Sequence, residues 1–182
     1  MNRHMALTLL KENLKKEHML KHCLAVEAIM RGLAACLRKD QEQWGLVGLV
    51  HDIDFERIKD TSEHGIIAEE ILKDDVDKDI IRAIKSHNFE NTGIQPETRM
   101  ENALIAADAV SGLVVACALV MPSKKLEEVR VESITKRFKE KDFARNCNRE
   151  KILYCEKIDL DKEKFFEIAL NSLKNIANEL GL

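Results

Sequence analysis

Proline is almost missing from this chain, with 2 in 182 residues, and glycine is scarce at 7. Aromatic residues make up only 4%. Few chain breakers leave helices uninterrupted. The poverty in aromatics, and the lack of any clean period-2 alternation of Val, Thr and Tyr, leave little from which to build sheet. The expected fold class is all-α, a single-domain helical bundle. No excess of positive charge exists: 29 Lys and Arg against 32 Asp and Glu give −3, with a pI near 6.1, which argues against a dedicated nucleic-acid binder. Disorder is excluded by a hydrophobic content of 45%, which is near the globular average. No Cys-X-X-Cys pair occurs. The cysteines are Cys23, Cys36, Cys117, Cys147 and Cys155, an odd number in helical patterns. They read as reduced thiols in a cytoplasmic setting, not as a disulfide framework or a thiolate zinc site. The first apolar run, Met5 to Leu10, is too short for a secretory core. One long apolar run does exist. Of residues 103–121, all but Asp108, Ser111 and Gly112 are hydrophobic. Its length suits a membrane span, but a carboxylate in lipid is costly, so it reads as the buried centre of the bundle.

The pattern predicts helices over 4–16, 18–38 and 41–52, the third with Gly45 and Gly48 placed to let a neighbour approach closely. Residues 53–60 are polar and irregular. Thr61 and Ser62 are the expected N-caps of a helix over 63–73, and Asp75 or Asp77 opens one that ends near His87. A loop holds Asn91-Thr92-Gly93 and Pro96. The apolar helix follows over 100–120 and stops at Pro122. Short helices are expected over 126–138 and 147–157. A last amphipathic helix, capped by Asp159 or Asp161, turns Phe165, Ile168, Ala169, Leu173, Ile176 and Leu180 inward, with Gly181 at its C-cap. No internal repeat or linker divides the chain.

Charge is uneven along this path. Residues 40–108 carry 7 basic against 17 acidic residues, a net of −10, and residues 124–151 carry 10 against 6, a net of +4. Taken alone this describes two solvated faces. The histidines say more. His51 is followed directly by Asp52 at the end of an apolar helix. His22 lies in the long helix before it, His87 ends a later helix after Ile80, Ile81 and Ile84, and Asp108 sits inside the most apolar helix of all. A single histidine on an apolar face is more often a satisfied core group than a ligand. An ordered set of imidazoles and carboxylates, all pointing inward, is different. A buried ionised carboxylate without a partner is expensive, and a cation removes that cost while explaining the imidazoles. Nitrogen and oxygen donors suit Fe, Mn, Zn, Ni or Co.

The order His22, then His51-Asp52, then Asp108, each on a helix, resembles the signature of HD-domain metal-dependent phosphohydrolases. The likeness extends to Glu63-His64-Gly65 and to Ala83-Ile84-Lys85-Ser86-His87, which match the two further histidines of dinuclear HD proteins such as the symmetrical diadenosine tetraphosphate hydrolases. It spans about residues 18–115, and residues 122–182 form a helical extension. That extension, with Met121-Pro122-Ser123-Lys124-Lys125 and the stretch from Ser133 to Arg149, is similar to a branch of HD hydrolases without an assigned substrate. The resemblance implies one HD-type domain in which His22, His51 and Asp108 hold one divalent ion, His64 and His87 hold a second, and Asp52 bridges them as the catalytic carboxylate. A metal-bound hydroxide would attack the phosphorus of a nucleotide or another small phosphate ester. Many such enzymes carry a lysine three residues after the His-Asp pair; here the residue is Phe55. The phosphate clamp is therefore sought at Lys124, Lys125, Lys136, Arg137 and Arg145. Asp54 and Asn88 are candidates to orient a histidine or a water, and His18 is expected to be exposed. The same ligand set would serve a dinuclear iron oxygenase of HD type, and a non-catalytic metal- or nucleotide-binding regulatory module is the remaining alternative. The expected partner is a small phosphorylated substrate. No membrane is expected, nucleic acid is disfavoured, and a homodimer is left open.

Overall fold

A computed structural model describes residues 1–182 and contains helices and turns but no strand. The first helix, α1 (Arg3–Asn13), is capped by Asn2, whose side chain accepts from the Met5 N–H, and it buries Ala6 and Leu10 one turn apart. Helix α2 (Glu17–Cys36) buries Met19, Cys23, Val26, Met30 and Leu33, the spacing of one continuous helical stripe. Helix α3 (Gln41–Val50) returns alongside it, with the Asp40 carboxylate accepting from the N–H groups of Glu42 and Gln43. The two backbones touch. A Cβ added at Gly48 would lie 2.9 Å from the Val26 carbonyl oxygen and 3.0 Å from the Glu27 backbone, so the close approach expected of this helix requires glycine there.

The run after Asp52 winds through turns into a short 3₁₀ turn, Thr61–Glu63, capped by Asp60. Helix α4 (Ile66–Leu72) begins after Gly65, which has φ +89°. This corrects the expectation that Thr61 or Ser62 caps a helix from residue 63. A left-handed backbone at Gly65 interrupts the chain, and only glycine takes that conformation at low cost. Helix α5 (Lys78–His87) ends on a histidine, and a single turn, α6 (Phe89–Thr92), forms within the expected loop.

Helix α7 (Arg99–Leu119) is the axis of the molecule, with 15 of its 21 residues buried. Its start is fixed reciprocally: the Thr98 side chain accepts from the Glu101 N–H, and the Glu101 carboxylate accepts from the Thr98 N–H, a capping box. The helix is long and apolar enough to cross a membrane, but 67% of its most apolar stretch is buried inside the fold. Around it pack α2, α5 and the C-terminal elements. Those elements are α8 (Val131–Lys139), α9 (Arg149–Ile152) with a 3₁₀ continuation Leu153–Ile158, α10 (Lys162–Asn175) and α11 (Ala177–Leu180). The expected helices at 126–138 and 147–157 are thus each split, because Val129 and Arg130 are extended and the second tightens to 3₁₀. Asp161, not Asp159, caps α10, and the last amphipathic run breaks at Ile176. Phe165, Phe166, Ala169, Leu170 and Leu173 of α10 complete one core.

Candidate metal centre

Five elements deliver polar groups to one point beside α7. His22 comes from the second turn of α2. His51 and Asp52 stand at the C-terminal end of α3, His64 ends the 3₁₀ turn, His87 is the last residue of α5, and Asp108 lies midway along α7. Two of the helices, α3 and α5, therefore aim their partially negative C-termini at the cluster, which favours a cation there. His51, Asp52, His64 and His87 are buried at 0%, 7%, 8% and 4% exposure. His22 and Asp108 are partly open and form the rim.

The ring nitrogens are sorted into two sets. On the outer side, each Nδ1 meets an acceptor. His51 donates to the Gly48 carbonyl at 2.9 Å, His87 donates to the Ile84 carbonyl, and His64 donates to the Asp54 carboxylate at 2.7 Å. The Ser111 hydroxyl donates to the Asp108 carbonyl at 2.8 Å, so its oxygen accepts from His22 Nδ1 at 3.3 Å. With the outer protons placed, all four Nε2 atoms face inward. His22 Nε2 and His51 Nε2 are 3.2 Å apart, and His64 Nε2 and His87 Nε2 are 2.9 Å apart. Asp108 Oδ1 lies 3.2 Å from His22 Nε2 and 3.8 Å from His51 Nε2. Asp52 reaches both groups. Its Oδ2 is 3.5 Å from His22 Nε2, while its Oδ1 is 3.5, 3.2 and 3.6 Å from the Nε2 atoms of His51, His64 and His87.

Within each group these separations are near those of ligands around one ion. Nitrogen and oxygen ligands at about 2.1 Å from a metal stand roughly 3.0–3.5 Å from one another. Two triads draw their ligand atoms within 4.8 Å of each other, His22 with His51 and Asp108, and His51 with Asp52 and His87. The charges agree. Burial opposes ionisation of Asp52 and Asp108, but the surrounding imidazoles outweigh it and hold both carboxyls below the usual range. Burial likewise disfavours charge on His22 and His64. Their carboxylate neighbours, Asp108 and Asp52 for His22, and Asp52 and Asp54 for His64, prevail and raise each to about 10. Burial pushes the His87 pKa down. Cys23, next to His22, offers no thiolate, because burial and then the charges of Asp52 and Asp108 raise its pKa.

The supporting groups are as specific as the ligands. Asp54, fully buried, accepts from His64 through one oxygen and from the N–H groups of Gly65 and Ala68 at 2.8 and 3.0 Å through the other. Asn88 donates to the carbonyls of Thr61 and His64 at 2.8 and 3.0 Å, tying the turn to the end of α5. Asp54 thus holds the His64 ring, whereas Asn88 bonds backbone carbonyls and no imidazole. His18 is exposed. Phe55 is 46% exposed, its ring edge-on to His64 with centroids 6.1 Å apart.

A cavity of about 310 Å³ opens onto the rim and is lined by His22, Asp108, Ser111, Asn146, Asn148 and Lys151, among others. None of Lys124, Lys125, Lys136, Arg137 and Arg145 lines it. The first three and Arg145 are exposed, and Arg137 donates to Glu140 at 2.6 Å and lies over the Phe143 ring. Ser111 and Lys151 escaped the sequence reading. Ser111 stood only as a polar interruption in an apolar run, and nothing local marks Lys151 among its basic neighbours. A second cavity, about 380 Å³, lies against another face of α2. Its arginines, Arg3 and Arg31, are held by Glu27 and Glu42, and no metal-binding triad faces it.

A family model described as HD domain matches residues 19–113. No curated protein and no solved structure gives a significant match.

Proposed function

The chain belongs to the HD-domain family, and from that membership we propose that it is a metal-dependent phosphohydrolase cleaving a phosphate ester of a nucleotide or another small phosphorylated molecule. The observation that carries this reading is the sorting of the imidazoles: four Nδ1 groups tied outward and four Nε2 atoms converging on Asp52 and Asp108. Ring nitrogens about 3 Å apart, with their other sides committed, call for a cation or a proton between them. His22, His51 and Asp108 would hold one ion, and His64 and His87 a second. Asp52, placed between the two groups, would be shared. Donors of this kind suit Mn, Fe, Co, Ni or Zn. Such ions, when bound, lower the pKa of water and offset charge on phosphoryl oxygens. The chain's own part is to fix the donors. Asp54 locks the His64 ring, Ser111 locks His22, and the C-terminal ends of α3 and α5 add negative potential. The rim cavity is large enough for a small molecule. Five unpaired thiols fit a reducing cytoplasm.

The test is direct. The purified protein is assayed for bound metal, then screened with phosphomonoesters, nucleotides and cyclic dinucleotides in the presence of Mn, Co, Ni or Mg. Hydrolysis is expected, and Asp52→Ala is expected to lose at least about 100-fold in kcat, since it removes the shared ligand. A metal-loaded wild type that cleaves no ester, or an Asp52→Ala variant of equal activity, overturns the proposal.

A further inference from the structure

An anion entering the rim cavity meets Asp108, and the residues that line the cavity include one lysine and no arginine. That lysine is Lys151, which lies outside the HD match and reaches the rim from α9. Its ammonium donates to the Glu90 carboxylate at 2.9 Å and to the carbonyl of His87 at 3.3 Å. Two of its three N–H groups are thereby occupied, and one is left for the cavity. The side chain is 19% exposed and its Nζ lies 5.4 Å from the Phe89 ring centroid, so packing holds the charge in place.

The wall that carries it is rigidly built. Arg149, the residue between Asn148 and Glu150, donates to the carbonyls of Ala144, Cys147 and Phe143 at 2.9, 2.8 and 2.5 Å. It also reaches those of Phe138, Arg137 and Glu140 at 3.3 Å. One guanidinium thus gathers the loop between α8 and α9, whose carbonyls would otherwise want other partners. The Asn148 oxygen then accepts from the N–H groups of Glu150 and Lys151 at 2.9 and 3.2 Å. What this loop presents to the metal centre is Asn146, Cys147, Asn148 and Lys151.

We infer that Lys151 is the phosphate-recognising residue of the site: its free N–H meets a non-bridging oxygen of the substrate's phosphoryl group beside His22 and Asp108, while Arg149 positions the loop that holds it. The inference rests on the phosphohydrolase reading and supplies the cation that Lys124, Lys125, Lys136, Arg137 and Arg145 do not bring to this cavity.

The experiment measures binding of inorganic phosphate to the Mn-loaded full chain by calorimetry, with bound Mn quantified in every sample. Lys151→Gln is expected to weaken phosphate by about tenfold or more at unchanged Mn content, the loss of one charge-assisted hydrogen bond, and Lys151→Arg to recover part of it. Glu90→Gln is expected to bind phosphate as tightly as wild type or tighter, because it removes only a competing carboxylate. Undiminished phosphate binding in Lys151→Gln, or a parallel loss of Mn, overturns the inference. Should Lys151→Gln fail to fold, Glu90→Gln decides. A lysine that merely braces α6 against α9 predicts weaker phosphate binding there, and that result also overturns it. A wild type that binds Mn but neither binds phosphate nor hydrolyses any ester defeats the phosphohydrolase reading and this inference together. Hydrolysis by wild type with intact phosphate binding in Lys151→Gln defeats this one alone.

Discussion

In the absence of an ion, the carboxylates beside His22 and His64 favour the protonated rings. Each faces a second imidazole and a carboxylate. Both rings titrate near 10, above the unfolded value of about 6.5. Their contribution to the stability of the metal-free protein is therefore full below about pH 6.5 and is lost as pH rises through about 10. Asp52 and Asp108 have depressed pKa values, so their contribution is present above about pH 4 and is lost on acidification. Metal binding must displace the two imidazolium protons. The rise in melting temperature produced by a fixed concentration of Mn should accordingly grow between about pH 6 and pH 8.5. A thermal-shift series in matched buffers checks this; a rise independent of pH would contradict the two-proton picture. Five of the six candidate ligands are legible in the sequence because each is a polar group where the apolar pattern points inward, and His64 enters through the family resemblance alone. Ser111 carries no such signal, since its role depends on a ring 89 residues away. Lys151 carries none either, since basic residues are frequent around it and only the path of the loop selects it.

Helix α3 has two tasks that converge on one residue. Gly48 lets α3 lie against the backbone of α2 at Val26 and Glu27, and its carbonyl accepts the Nδ1 proton of His51. Gly48→Ala places a Cβ against main chain that cannot swing aside, which costs about 1–3 kcal/mol of overpacking. The expected result is a melting temperature lower by roughly 3–10 °C, together with weaker metal binding as His51 is displaced. Calorimetric melts and Mn titration read both, and an unchanged variant would show that the helices separate freely. Helix boundaries were less legible than helix identity. The long buried α7 was readable from its composition and stopped by Pro122 as expected. The start of α4 was misplaced because its N–H groups at Gly65 and Ala68 are satisfied by Asp54, a carboxylate from the far side of the preceding turn. A cap supplied from a distance leaves no signal at Thr61 or Ser62. The breaks within 126–138 and 147–157 likewise have no Gly or Pro to mark them.

The whole molecule is larger than the stretch that marks its family. All six candidate ligands fall within residues 19–113, which invites the view that the rest is an accessory. The packing says otherwise. Phe165 and Phe166 of α10 are fully buried, with Leu170 and Leu173 beside them, in the same cluster as Leu33 of α2 and Val114 of α7. Removing four large side chains of this kind withdraws roughly 6–12 kcal/mol of burial, against a net stability of about 5–15 kcal/mol for a domain. It also uncovers apolar faces of α2 and α7 that nothing else in the chain covers. A fragment ending at Val120 should therefore retain helical circular dichroism but lose its cooperative melt, and it should associate in gel filtration. His22 and Asp108 ride on α2 and α7, so Mn binding should fail with the packing although all six candidate residues are present. A monomeric fragment that melts cooperatively and binds Mn like the full chain would make residues 122–182 an appendage. It would leave the cavity wall of Asn146, Cys147, Asn148 and Lys151 as the extension's tie to the metal centre.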